Sequence, residues 1–173
     1  MEKLEIKAGC ENDWQMLQRI SIETFTTTYR HLNTPENFNQ YVASAFNEGQ
    51  LKLELQNPYS HFYFAYENGA MIGYLKLNEY TAQTEPQGDD ALEIERIYLY
   101  KNKQGKGYGK AMVDHCVQVA REKGKSYLWL GVWEKNPSAI AFYRKMGFAA
   151  FGRHIFTIGE DHQEDLLMRL PVV

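Results

Sequence analysis

Residues 94–110 read IERIYLYKNKQGKGYGK. The segment opens as an apolar strand and closes on Gly105, Gly107 and Gly109, spaced by two. An amphipathic run from Lys110 to Lys123 follows directly. Strand, glycine turn and helix start together make a device for holding phosphate. Glycines let the backbone approach closely, and the N–H groups of a helix start point at an anion with the positive end of the helix dipole behind them. Lys101, Lys103, Lys106 and Lys110 add cationic charge around the turn. Taken alone, the glycines are also readable as a tight turn required by packing.

Two familiar phosphate loops do not fit. A P-loop, G-x-x-x-x-G-K-[ST], would need glycine at Gln104 and a hydroxyl at Ala111. A dinucleotide fingerprint, G-x-G-x-x-G, meets Lys110 or Met112 where its third glycine belongs. What remains is Gln104-x-x-Gly107-x-Gly109 after a strand.

The wider composition sets bounds. A chain of 173 residues suits one domain, residues 1–173, with a single sizeable core. Hydrophobic residues at 44% and charged residues at 24% are ordinary for a soluble globular protein. A net charge of −3 argues against a protein that lives on nucleic acid. No run approaches the roughly 18 apolar residues that cross a membrane, and the first residues lack the apolar core of a signal peptide. Cys10 and Cys116 form no C-x-x-C pair and read as free thiols of a reducing cytoplasm. The five histidines have no metal-ligand spacing, so no metal is expected.

Along the chain, Leu4 to Lys7 alternates as a strand. Trp14 to Phe25 carries an apolar stripe at helical spacing, and Thr34-Pro35 opens a second helix with a further turn running to Asn57. His61–Tyr66 and Met71–Leu77 flank Asn68-Gly69, a type I′ hairpin signal. Ala91–Tyr100 enters the glycine turn, and Tyr127–Val132 follows the Lys110 helix. Asn136-Pro137 opens a last helix that closes at Gly147. Phe148–Phe151, Ile155–Ile158 and Leu166–Leu170 read as final strands, with Gly159–Asp165 as an acidic turn. The order β α α β β β α β α β β predicts an α/β fold with helices on both faces of a mixed sheet.

Gln104-x-x-Gly107-x-Gly109 resembles the acyl-CoA pyrophosphate signature of the GNAT family of N-acetyltransferases. The segment NPSAIAFYRKMGF (136–148) resembles that family's N-x-x-A-x-x-x-Y-x-x-x-G-F block at the expected distance, and the element order matches across nearly the whole chain. The resemblance implies the GNAT fold, a mixed and mostly antiparallel sheet of about seven strands. It implies acetyl-CoA as co-substrate, with the backbone of Ile97, Tyr98 and Leu99 pairing with the pantetheine arm as an added strand. Gln104, Gly105, Lys106, Gly107, Tyr108, Gly109 and Lys110 would cradle the pyrophosphate. Gln104 stands where the family more often has arginine. Asn136 would contact the coenzyme, and on residue chemistry alone is also a helix cap.

Tyr143 sits where the family has the tyrosine that returns a proton to the departing thiolate. A phenol near pKa 10 suits that task if held within reach, and a core aromatic is the competing reading. An amine must react uncharged, so a base is needed; Glu95 is the first choice and Glu93 the second. Period-2 alternation puts these two on one strand face and Arg96 on the other. Either glutamate also reads as an ion-paired carboxylate.

The acids Glu79, Glu85, Asp89, Asp90, Glu93 and Glu95, with Glu23 and Glu36, are expected near the acceptor side, where they would attract a polycation. SIETF (21–25), PEN (35–37), LEIERIY (92–98) and LGVWEKN (130–136) resemble bacterial PaiA-type spermidine/spermine N-acetyltransferases. That similarity implies a polyamine acceptor. Another amine (a protein N-terminus, a lysine or an aminoglycoside) and a non-catalytic acetyl-CoA-binding module are the alternatives. No membrane or direct nucleic-acid partner is expected, and the oligomeric state, a homodimer included, stays open.

Overall fold

The computed structural model describes residues 4–173, apart from the side chains of Phe156 and Ile158. Its centre is a seven-stranded sheet in the order β1-β2-β3-β4-β5-β7-β6. The strands are β1 (Leu4–Ala8), β2 (Ser60–Glu67), β3 (Ala70–Asn78), β4 (Ala91–Leu99), β5 (Tyr127–Trp133), β6 (Ala149–Ile158) and β7 (Asp161–Pro171). Every neighbouring pair is antiparallel except β4–β5. Asn68 and Gly69 join β2 to β3 with φ of 50° and 80°, the two positive values that a type I′ turn requires.

Alternation of side chains sorts the core into two layers. Leu75, Leu77, Leu92, Ile94, Leu128, Leu130 and Met168 point to one face. There they meet α4 (Tyr108–Glu122) and α5 (Pro137–Lys145) through Met112, Val113, Cys116 and Tyr143. Phe62, Phe64 and Tyr74 point to the other face, against Leu17, Ile20 and Phe25 of α1 (Trp14–Tyr29), Phe38 of α2 (Pro35–Ala45) and Leu51 of α3 (Glu48–Gln56). Thr34 caps α2 by accepting from Asn37 N–H at 3.3 Å, with Pro35 in the first turn where its missing donor costs nothing. Asn47 caps α3 in the same way at 2.9 Å, so the expected extra turn is a separate helix.

Two readings of the C-terminal half need correction. Phe148–Phe151 and Ile155–Ile158 fall in one continuous strand, β6, and the expected acidic turn shrinks because Asp161–Asp165 already belongs to β7. A register shift at Gly152 bends β6 without ending it. The face assignment in β4 also fails. Lys76 pairs with Arg96 but Leu77 pairs with Ile94, so Glu95 is an extra residue in a β-bulge. The bulge cancels one step of alternation, and Glu95 and Arg96 approach each other to 3.5 Å instead of facing apart.

Candidate active site

The parallel pair β4–β5 is registered over only Ala91↔Tyr127, Leu92↔Leu128 and Glu93↔Trp129. Beyond it β5 keeps only its pairing with β7, which runs the length of the strand, while β4 keeps its pairing with β3 as far as Gly73↔Leu99. The strands therefore splay, and the β5-facing edge of Ile97, Tyr98 and Leu99 is left as a template for an extended ligand. The wedge opens at the glycine turn.

Gly105 and Gly107 sit at φ of 73° and 88°, the left-handed region that side chains rarely enter. Ala111 N–H to Gly107 C=O, at 3.2 Å, is the first bond along the axis of α4. The amides of Gly107, Gly109 and Lys110 precede it and project from the helix end, as an anion site requires. A Cβ at Gly109 would come within 3.3 Å of the Phe142 ring, so α5 is packed directly on this turn.

Side chains around the turn divide by role. Gln104 Nε2 donates to Leu99 C=O at 3.3 Å and ties the loop to the strand end. Tyr108 is buried, and its hydroxyl and the Lys103 ammonium both donate to Glu67, which lowers the Glu67 pKa through Lys103 first. The Tyr108 side chain is thus turned into the protein, and part of the expected cationic rim is neutralised there as well. Lys110 pairs with Asp114 at 2.6 Å in an exposed setting, while Lys106 is exposed on the turn.

Asn136 caps α5, its side-chain oxygen accepting from Ala139 N–H at 3.2 Å. Tyr143, two turns further on, is buried against Phe142 and Phe148. Burial raises its pKa above the ordinary phenol value, with smaller contributions from Tyr29 and Cys116. Its proton is firmly held until something as basic arrives.

The two glutamates proposed as bases are differently employed. Glu95 accepts from Asn78 Nδ2 at 2.6 Å and pairs with Lys76 at 2.6 Å. Burial alone would raise its pKa, but Arg96 and Lys76 outweigh it and hold Glu95 ionised. Glu93 accepts from the Thr84 amide and hydroxyl and from Asn78, and its pKa is raised by burial and then by the Glu95 charge. Asn78 therefore bridges the two carboxylates. Beside them a cavity of about 350 Å³ is lined by Glu54, Ser60, Lys76, Thr84 and Glu95.

Not every expected acid lies on the acceptor side. Glu79 is buried between Lys123 and Lys125, both at 2.9 Å, and His61 at 3.0 Å. Burial opposes its ionisation, yet these partners bring its pKa down to about 2. It closes the base of the sheet. A second cavity, about 430 Å³, lies where the end of β5 meets the β6–β7 hairpin and Leu32. Trp133, Glu134, Lys135, Asp161, His162 and Glu164 line it.

Beside that cavity lies a group that sequence reading missed. Asp165, buried on β7, stands opposite Trp133 on β5 and opposite His154 on β6. Burial raises its pKa to about 6, with His154 pulling the other way. Tyr29, at the end of α1, accepts a hydrogen bond from Tyr98 of β4 and also feels Asp165. No motif marks these residues; only the sheet order brings them together.

An open strand edge, a glycine turn at a helix start and a buried phenol on the next helix are an arrangement suited to a transferase that uses an acyl-CoA. Residues 14–148 match the family model described as the acetyltransferase (GNAT) family, and the chain belongs to that family. It is an acetyl-CoA-dependent N-acetyltransferase. A Lactobacillus delbrueckii subsp. lactis protein, an uncharacterized N-acetyltransferase in the pepI 3′ region, is 40% identical over 173 residues, the full length of both chains. The [ribosomal protein bS18]-alanine N-acetyltransferase of Escherichia coli K12 is 31% identical over 130 residues, 74% of this chain and 77% of that one. The crystal structure of PaiA N-acetyltransferase from Thermoplasma acidophilum in complex with coenzyme A superposes with a TM-score of 0.78. Its identity is 21%, covering 98% of this chain and 99% of that one.

Proposed function

We propose that the enzyme moves the acetyl group of acetyl-CoA to a primary amine of a polyamine such as spermidine or spermine. The observation that carries this is the cavity beside the splayed strands, where Glu134, Asp161 and Glu164 face a space of about 430 Å³ with Lys135 as the opposing charge. Such a rim favours a flexible polycation over a neutral or anionic acceptor. The similarity in fold to a PaiA N-acetyltransferase agrees with it.

In this reading the amides of the 104–110 turn hold the pyrophosphate and the free edge of Ile97–Leu99 holds the pantetheine arm. Asn136 fixes the start of α5 and contacts the coenzyme. The neutral amine attacks the thioester carbonyl carbon in a ternary complex, a C–N bond forms, and the C–S bond breaks. Tyr143 gives its proton to the departing thiolate, and the proton that the acetylated nitrogen sheds restores the phenol. The dry surroundings that raise the phenol also raise the thiolate, so the two stay matched. Glu95, held ionised by Lys76 and Arg96, favours a cationic acceptor on the face where it arrives.

The relationship to a ribosomal protein alanine N-acetyltransferase favours a second reading, a peptide N-terminus as acceptor. One assay separates them: thiol release from acetyl-CoA with spermidine, spermine, an N-terminal peptide, a lysine peptide and an aminoglycoside. Spermidine or spermine is expected to give the highest kcat/KM, and a strong preference for a peptide would defeat the polyamine reading.

A further inference from the structure

Gly131 lies on β5 two residues past the last β4–β5 pair, so its backbone forms the floor of the wedge at the level of Glu95. It is exposed, and a Cβ there would meet His154 Cε1 at 3.0 Å and Asp165 Oδ2 at 3.3 Å. Because Gly131 has no side chain, His154 and the Asp165 carboxylate fill the space a Cβ would need and come up against the exposed backbone of the wedge floor. We propose that Asp165, oriented by His154, is the group that takes the proton from the acceptor ammonium at this part of the wedge floor. The inference rests on the enzyme being an amine acetyltransferase and names a residue for its first proton transfer.

The surroundings suit the task. His154 Nε2 stands 3.7 Å from Asp165 Oδ2, and His154 Nδ1 stands 3.6 Å from Glu85. The Nδ1 atom is buried with no hydrogen-bond partner among the described residues. The dyad is thus held together loosely, with no lysine or arginine pairing to Asp165 among the described residues. Tyr29 of α1 packs near Trp133 on the same sheet face and feels the Asp165 charge, Gly131 and Trp133 of β5 bring no charge, and Glu85 reaches the pair through His154. Tyr29 contributes to the electrostatics of Asp165 and, more weakly, of Tyr143. Glu95, by contrast, is tied to two cations that suppress its basicity.

The proton balance is simple. Asp165 carboxylate and the ammonium give Asp165 carboxylic acid and a neutral amine, which attacks the thioester. Asp165 then releases the proton to water at the exposed wedge floor, while the second proton of the nitrogen, shed as the amide forms, restores Tyr143. A base that titrates near neutrality serves such a cycle best, and the raised pKa of Asp165 meets that condition.

The test is the pH dependence of kcat/KM with the best amine of the acceptor panel. The wild-type profile should fall on the acid side with an apparent pKa near 6. Asp165→Asn should lower kcat by about 10²-fold and abolish that limb, with acetyl-CoA affinity retained and thermal stability at neutral pH not reduced. His154→Gln removes the charge that lowers the Asp165 pKa, so the limb should move to higher pH. Asp165→Glu should restore part of the rate together with a limb. A wild-type rate and profile in Asp165→Asn would overturn the proposal, as would a loss of rate matched by lost coenzyme affinity. If a peptide is the best acceptor, the polyamine reading fails while these outcomes still decide the part played by Asp165.

Discussion

The Phe142 ring stands 3.3 Å from the point where a Cβ on Gly109 would lie, so the coenzyme turn and the helix carrying Tyr143 are in contact through a glycine. Gly109 has no positive φ, and only the rim of a ring would meet an added methyl. Gly107 is the opposite case: its φ of 88° is strained for any other residue. Gly107→Ala should cost about 1–2 kcal/mol of local backbone strain and raise KM for acetyl-CoA roughly tenfold, the equivalent of about 1.4 kcal/mol. Gly109→Ala should change KM less than threefold, with α5 shifting to accommodate the methyl. Equal effects of the two substitutions on KM would show that backbone conformation is not what shapes the turn.

Tyr143→Phe should lower kcat by roughly 10²-fold and leave acetyl-CoA affinity within about twofold, because the hydroxyl acts only once the thiolate forms. Burial raises the Tyr143 pKa, so the residue stays protonated through any practical assay range and should contribute no alkaline limb below about pH 10. Stopped-flow thiol release and equilibrium coenzyme binding separate the two effects. Unaltered turnover would leave Tyr143 as a core aromatic.

The sequence made the ends of the mechanism readable and hid its middle. Gly107, Gly109 and the NPSAIAFYRKMGF segment are local patterns, because a phosphate turn and a capped helix are built from neighbouring residues. Asn68-Gly69 is local in the same sense. The Glu95 bulge was invisible because one inserted residue changes register without changing composition, and strict alternation then sent Arg96 to the wrong face. Glu79 illustrates a second limit: its acidity looked like part of an acceptor rim until the fold placed Lys123 and Lys125 on either side of it. His154 and Asp165 meet only because β6 and β7 pair antiparallel, and Tyr29 reaches them from a distant helix. Pairings of that kind are set by topology.

Glu95 and Glu54 together hold Lys76 and Arg96, four largely buried charges in one cluster. Glu95→Gln leaves two cations against one carboxylate. Breaking a buried set of this kind costs about 3 kcal/mol, which for a chain of this size is a fall in Tm of roughly 6–12 °C. The loss should be largest at neutral pH. Glu95 has a depressed pKa, so its stabilisation is complete above the ordinary value of 4.5 and fades as the pH drops through the lowered one. Kinetically, KM for the amine should rise more than kcat falls. A reversed pattern, with kcat reduced about 10²-fold and Tm unchanged, would make Glu95 the base.

Asp165 should behave in the reverse sense, and its stability profile tests the buried carboxyl independently of turnover. Its pKa is raised from 3.8 to about 6 by burial. Between those values the folded protein binds a proton that the unfolded chain has released, so stability declines as the pH rises through this window and stays low above it. Asp165→Asn mimics the protonated acid at every pH. It should therefore match the wild type near pH 3.5 and exceed it at pH 7–8 by roughly 1 kcal/mol or more, about 2–4 °C in Tm. Thermal scans of both proteins across that range measure the difference directly. A residue kept at a cost in stability while its neutral isostere folds better is expected of a working site rather than of the scaffold. If the variant is less stable than the wild type at pH 8, Asp165 is a structural partner of His154 and the wedge floor at Gly131 has no base.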